Sequence, residues 1–282
     1  MQLGSALRQA IEQLKAADVP EPRLDAETLL MHTLNVGRAY LHAHSERELD
    51  VREHDGYSLL VVRRSLREPL QYLVGRQEFW GLDFEVSPAV LIPRPETEHS
   101  VEAVLALLNG ISAPKIADIG TGSGCIALAL ASEIGDAQIQ AIDISPEALE
   151  VAKRNALRLK LDRRVTFSQG DLLQPLLTAE LLGSFDLIVS NPPYVPAAAP
   201  EKVQREVREH EPHVALFGGD TGMAIYERLI PQARQALKTN GWLVMEIGYS
   251  IEDQTRALLR EWRNVGAKAD LQGIPRVLVA QK

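Results

Sequence analysis

The sequence predicts a mixed α/β protein in which an open parallel sheet follows a small helical unit. Three observations carry this. A strand-like run, Lys115-Ile116-Ala117-Asp118-Ile119, enters the glycine turn Gly120-Thr121-Gly122-Ser123-Gly124 and continues through 125–130 with helical apolar density. Three further short apolar runs stop at polar residues, namely Asp143, Asp171 and Asn191, the pattern of repeated strand, loop and helix. Residues 1–75, by contrast, hold apolar side chains at helical spacing.

Within 1–75, Leu3, Leu7, Ile11 and Leu14 mark one stripe, and Leu24, Leu29, Leu30 and Leu34 a second. Leu59, Val62, Leu66 and Leu70 mark a third. A small bundle that buries these faces is expected, serving either to recognise a protein substrate or to prop the sheet domain. Residues 76–96 read as a hairpin and linker, because 78–86 alternates around Gly81, and Pro88, Pro93 and Pro95 stiffen the connection to the next helix. The sheet domain is then 97–282. It opens on a helix at 97–108, and strands are expected from near Lys115, at 138–142, 165–168 and 185–190. The amphipathic stretch 222–237 leads into a fifth strand at 241–247, and 267–271 with 274–280 closes the domain as a hairpin about Gly273.

The strand ends carry the chemistry. Glycines at alternate positions let the backbone turn sharply and approach a ligand, while the helix start leaves N–H groups free to meet it. The spacing G-x-G-x-G, with Cys125 next, departs from the dinucleotide pattern G-x-G-x-x-G. Asp143 lies about twenty residues past the glycines, where a carboxylate holds ribose hydroxyls, although Ser145-Pro146-Glu147 also reads as a helix start beside it. Gly170-Asp171-Leu172-Leu173 brings a further carboxylate to the same edge, suited to an adenine amino group. Asn191-Pro192-Pro193-Tyr194 completes the rim. Two prolines have no N–H and a fixed φ, so this loop is stiff and rich in acceptors, with the Asn191 amide beside them and the Tyr194 ring as a flat surface. Such a loop suits capture of a planar amide or amine nitrogen.

This ordered set resembles the S-adenosylmethionine-dependent methyltransferases, and Asn-Pro-Pro-Tyr resembles their amino-methyltransferase motif. Four further stretches narrow the resemblance: 71–75 (Gln-Tyr-Leu-Val-Gly), 78–82 (Glu-Phe-Trp-Gly-Leu), 91–98 (Leu-Ile-Pro-Arg-Pro-Glu-Thr-Glu) and 211–216 (Glu-Pro-His-Val-Ala-Leu). They look like the protein-(glutamine-N5) methyltransferases that modify peptide-chain release factors. The resemblance implies a Rossmann-like, seven-stranded domain with a reversed terminal hairpin. It also implies S-adenosylmethionine held by Gly120, Thr121, Gly122, Ser123, Gly124, Asp143, Asp171, Leu172 and Asn191. Asn191, Pro192, Pro193 and Tyr194 would hold the acceptor glutamine of a Gly-Gly-Gln motif, with Asn191, Pro192 and Tyr194 acting in the transfer.

Composition excludes several alternatives. The chain of 282 residues has net charge −8 and an isoelectric point near 5.5, which argues against tracking along a phosphate backbone. Residues 1–85 hold ten Lys or Arg against fourteen Asp or Glu, unlike a DNA-reading module. The single cysteine, Cys125, removes any internal disulfide or cysteine cluster for zinc and reads as a small buried helix residue. Seven scattered histidines form no metal pattern, so no metal is expected. Neither a membrane-spanning run nor a signal pattern stands out, so a cytoplasmic protein is expected. An adenine N6-methyltransferase of DNA or RNA remains the alternative, since an exocyclic amine meets the same loop in the same way. A non-catalytic cofactor-binding adaptor would be expected to lack a motif element, and none is missing.

Overall fold

The computed structural model describes residues 1–249, 251–270 and 272–282. By its internal contacts the chain divides into one unit of Met1–Arg76 with Gln204–His210, and another of Gln77–Val203 with Glu211–Lys282.

The first unit is built from α1 (Leu3–Ala16), α2 (Pro22–Leu34), α3 (Arg38–Ala43), α4 (Val51–Ser65) and α5 (Leu70–Val74), joined by the short helix Arg205–His210. Asp50 starts α4 with a capping box: its side chain accepts from the Glu53 N–H at 2.8 Å, and Glu53 returns a bond to the Asp50 N–H at 3.0 Å. Asn35 ends α2 in the left-handed region, at φ 51°. Leu3, Leu14, Leu29, Leu30, Leu41 and Tyr57 fill the interior.

Helix α4 departs from the expected stripe. Leu59, Val62 and Leu66 are 59%, 47% and 66% exposed, whereas Tyr57, Val61 and Arg64 face inward. The reason is a buried cation. Arg64 Nε donates to Asp25 Oδ2 at 2.6 Å and Nη2 donates to Glu206 Oε1 at 3.0 Å, so an ion-paired charge holds a position that apolar periodicity assigns to the surface. On α2, Leu24 is likewise exposed while Leu29 and Leu30 are buried.

The second unit opens within the hairpin strand β1 (Arg76–Phe79), which with β2 (Leu82–Glu85) turns at Trp80 and Gly81, both at positive φ, 55° and 68°. That geometry matches the twist of a tight hairpin. The main sheet comprises β3 (Lys115–Ile119), β4 (Gln138–Asp143), β5 (Val165–Gln169), β6 (Phe185–Ser190), β7 (Leu237–Glu246), β8 (Arg263–Ala269) and β9 (Pro275–Gln281). Their order is β5-β4-β3-β6-β7-β9-β8. The pairs from β5 to β7 are parallel, and β9 runs antiparallel to both β7 and β8. The closing hairpin therefore starts earlier than its periodicity suggests, at Arg263, and Leu271 lies outside the described residues.

The central strands β3 and β6 and the carboxyl-terminal half of β7 are buried on both faces, as a parallel sheet requires. Leu187, Val189 and Val244 pack with Phe79, Phe84 and the helices α6 (Glu98–Leu107) and α7 (Cys125–Glu133). Ile188, Leu243 and Met245 pack on the opposite face with Tyr226, Leu229 and Ala233 of a later helix, Ala224–Ala236. Helix α8 (Pro146–Arg158) connects β4 to β5. The chain adds β4 and β5 outward from β3, then returns to lay β6 on the other side of β3. Loops leaving β3 and β6 thus diverge, and a crevice opens at the carboxyl ends of the strands. Among the described residues no helix is long and apolar enough to cross a membrane.

Candidate functional site

Strand register decides which side chains meet at that crevice. Ile119 is level with Ile142 on one side and Ser190 on the other, and Ser190 is level with Met245. The next residue of each strand, Gly120, Asp143, Asn191 and Glu246, therefore stands in one row at the rim.

The glycine turn needs its glycines. Gly120, Gly122 and Gly124 have φ of 73°, 56° and 83°, a region that costs other residues. The Gly120 and Thr121 amides donate to the Ile142 carbonyl at 2.8 and 3.0 Å, and the Gly122 amide donates to Asp143 Oδ2 at 2.8 Å. Asp143 Oδ1 accepts from the Ser145 N–H at 2.9 Å, while the Ser145 hydroxyl caps α8 by accepting from the Ala148 N–H at 3.1 Å. The capping role belongs to Ser145, so Asp143 is left to shape the rim. Burial raises the Asp143 pKa and the backbone N–H groups pull it back. Each carboxylate oxygen keeps a lone pair for a ligand.

A cleft of about 180 Å³ opens over this row. Gly120, Thr121, Gly122 and Ser123 line it from the glycine turn, and Asp143, Asp171, Leu172, Asn191 and Pro193 from the other strand ends. Asp171 forms an ion pair with Arg228, which lines the same cleft. Gly124, Pro192 and Tyr194 are not part of the lining. Gly124 instead seats α7 against α8, since a Cβ there would lie 3.3 Å from the Ala152 methyl. Pro192 is buried. The Tyr194 ring covers Gly248, where a Cβ would come within 2.7 Å of it, and burial pushes the phenol up to about 12. Cys125 is half-buried at the first position of α7 rather than fully enclosed, because this end of the helix meets the cleft. Burial takes its thiol to about 12, so it keeps its proton.

Sequence patterns assigned no role at the site to several residues that build it. Asp118 is fully buried, its Oδ2 accepting from the Thr121 hydroxyl at 2.6 Å and the Ala127 N–H at 3.2 Å, so it ties the glycine turn to α7. Its Oδ1 has no hydrogen-bond partner among the described residues, and burial lifts the acid to about 7. Behind Asn191 stand Thr97 and Glu246. Asn191 Nδ2 donates to Thr97 Oγ1 at 3.1 Å, and the Thr97 hydroxyl donates to Glu246 Oε2 at 2.7 Å. Burial raises Glu246 to about 7, with hydrogen bonds from Thr97 and Asn191 opposing it.

The loop after Asn191 rests on a bed of glycines. Val195 donates to the Leu216 carbonyl at 2.9 Å, and Gly218 donates back to Val195 at 3.0 Å. A Cβ on Gly218 would lie 2.4 Å from the Pro193 carbonyl oxygen, and one on Gly222 would lie 2.3 Å from that of Tyr194. The run Gly218-Gly219-Asp220-Thr221-Gly222 was the available signal. Glu211 joins two of the motif stretches, pairing with Arg94 and accepting from the Ile92 N–H at 3.1 Å. The resulting surface can hold a hydroxyl-bearing ligand at Asp143 and present an amide oxygen, from Asn191, to a nitrogen donor.

Comparison with known proteins adds to this geometry. Residues 5–75 match the family described as PrmC N-terminal domain, and residues 112–274 match a methyltransferase domain family. A protein of Koribacter versatilis named release factor glutamine methyltransferase is 51% identical over 282 residues, covering 100% of this chain and 99% of its own. A protein of the same name from Moorella thermoacetica is 46% identical, covering 98% of this chain and 94% of its own. Among solved structures, the catalytic domain of hMettl16 in complex with a MAT2A 3′UTR hairpin superposes with a TM-score of 0.57 at 17% identity, over 78% of this chain and 81% of that one. The N-terminal domain of human METTL16 in complex with SAH gives 0.52 at 18%, over 77% and 81%. At those identities the likeness is one of fold.

Proposed function

The chain belongs to the release factor glutamine methyltransferases, and from that membership we infer that it methylates the side-chain amide nitrogen (N5) of the glutamine in the Gly-Gly-Gln motif of class I release factors. The methyl donor is S-adenosylmethionine. One observation carries the reading at the level of the site: the Asn191 amide stands on the same rim, and lines the same cleft, as the glycine turn and Asp143.

The residues present fit such a donor. The glycine turn brings backbone without side chains to the cleft at Gly120 and Gly122, Asp143 retains lone pairs for hydroxyl groups, and Asp171 and Leu172 edge the cleft where a base would lie. When bound, S-adenosylmethionine supplies an electrophilic methyl group on a sulfonium.

A carboxamide nitrogen is a poor nucleophile because its lone pair is delocalised into the carbonyl. This reading gives its two N–H groups to Asn191 Oδ1, which lines the cleft, and to the Pro192 carbonyl, whose ring is buried behind the lining, and the pair orients the lone pair and favours the positive charge that grows on nitrogen. Pro193 and Tyr194 keep the loop in that shape. The proton leaves only once the N–C bond has formed, so no strong base is needed beforehand. The helical unit of residues 1–75 serves recognition of the release factor in this reading, and a cytoplasmic location goes with a role in translation termination. Incubation with labelled S-adenosylmethionine and purified release factor, followed by mass spectrometry of the Gly-Gly-Gln peptide, tests it. A single added methyl on the glutamine is expected. Label entering an adenine-containing duplex and not the factor would overturn it.

A further inference from the structure

Asn191 raises a question that the reaction alone does not answer. An asparagine amide has two ends of similar shape and opposite hydrogen-bonding character, one accepting and one donating. If Asn191 turned its NH₂ group toward the cleft, it would repel the very N–H it has to hold.

We propose that Thr97 and Glu246 set the polarity of the Asn191 amide, keeping its carbonyl oxygen toward the acceptor glutamine. This rests on the assignment of Asn191 to the acceptor nitrogen above. Thr97 is buried at the end of the turn Pro95–Thr97, where its N–H donates to the Arg94 carbonyl at 3.0 Å. Its hydroxyl carries one proton. When Glu246 is ionised its carboxylate has acceptors only, so that proton goes to Glu246 Oε2, 2.7 Å away, and the Thr97 oxygen is left with lone pairs for Asn191. The partner it takes at 3.1 Å is accordingly the Asn191 NH₂ group, whose hydrogen bonding also reaches Glu246, so both groups draw on the donor end of the amide.

The position of Glu246 supports a directional role. Thr97 and Asn191 line the cleft and Glu246 does not, so Glu246 acts through them as a positioning residue. Its strand end is fixed by the Tyr226 hydroxyl, which donates to the Glu246 carbonyl at 2.7 Å. Burying an acid here is costly. A neutral glutamine would fill the space, but it offers either end to Thr97 and therefore imposes no direction on the chain of bonds.

The test is a double-mutant cycle on the full chain, with kcat and KM for release factor measured at saturating S-adenosylmethionine and donor affinity measured by calorimetry. Thr97→Val should lower kcat at least tenfold while KM and donor affinity stay within twofold, and Thr97→Ser should restore the rate. In an Asn191→Ala background, Thr97→Val should change kcat less than twofold, because the group it positions is gone. Equal losses in both backgrounds would overturn the relay, as would a near-normal rate for Thr97→Val. Thr97→Ala runs in parallel, so that the cycle does not depend on how one variant folds. A second arm needs no acceptor: with ¹⁵N-asparagine labelling, the Asn191 NH₂ signal should be protected from exchange in wild type and Thr97→Ser, and should lose protection in Thr97→Val. An unchanged signal overturns the proposal. Wild-type inactivity toward release factor would count against the substrate reading, with the labelled-asparagine arm still deciding the relay.

Discussion

The Gly122 amide donates to Asp143 Oδ2 across 2.8 Å, which makes the turn after β3 and the carboxylate ending β4 one piece of structure. Replacing Asp143 by alanine therefore removes a ligand contact and releases the turn. Affinity for S-adenosylmethionine should fall by about 1.5 to 3 kcal/mol, the range for a charge-assisted hydrogen bond. Calorimetric titration of Asp143→Ala reads this directly, and unchanged affinity would remove Asp143 from the donor site.

Asn191→Ala should separate binding from turnover. Its donor affinity should stay close to wild type while the single-turnover rate drops on the order of a hundredfold or more, as for loss of a transition-state hydrogen bond. Asn191→Asp should fare nearly as badly. It keeps an oxygen acceptor but cannot donate to Thr97, and it sets another acid beside the buried Glu246.

Gly218 offers a test of the loop bed. A methyl there would sit 2.4 Å from the Pro193 carbonyl oxygen, so Gly218→Ala should shift the loop, lowering both melting temperature and kcat. Gly135→Ala is the control, because no atom lies within 4 Å of its Cβ position. Equal behaviour of the two variants would mean that the loop tolerates displacement.

Two buried acids give the protein a pH signature. Burial lifts Asp118 and Glu246 to about 7 in the folded chain, above ordinary values of 3.8 and 4.5. Between those limits the native state binds more protons than the unfolded one, so these groups reduce stability as pH rises from about 4 to about 7. Urea titrations across that window should show a shallower decline for Asp118→Asn and for Glu246→Gln than for wild type. An identical slope would show that neither acid holds its proton.

Arg64 is the anchor of the first unit. Arg64→Met leaves Asp25, 5% exposed, without its cation and Glu206 with Arg67 alone, so thermal unfolding should register a loss of about 3 to 5 kcal/mol. Removing Arg63, whose partner Glu68 is nearer the surface, should cost under about 1 kcal/mol.

The glycine turn, Asp143, Asp171 and Asn191 were legible because each closes an apolar run, and a parallel sheet aligns such ends at one edge. Thr97 and Glu246 were not. They stand 149 positions apart in the chain, and locally Thr97 reads as a helix start and Glu246 as the end of a strand. Only the level pairing of Ser190 with Met245 makes Glu246 a neighbour of Asn191. The inward face of α4 was hidden for a different reason: hydrophobic periodicity has no means of counting a buried, paired arginine. Tyr194 could be read as an exposed flat surface from its motif, yet its ring lies over Gly248, fifty-four residues later in the chain.

The segment Gln204–His210 belongs with the helices of residues 1–76, while the chain on either side of it belongs with the sheet. Glu206 in that segment meets both Arg64 and Arg67. A protease cut after Arg76 therefore does not yield two whole pieces. The amino-terminal fragment would lack one helix of its own unit, and the carboxyl-terminal fragment would carry that helix with its two arginine partners left behind. Exchange of amino-terminal units between relatives has to move the seven residues as well, or match their charge.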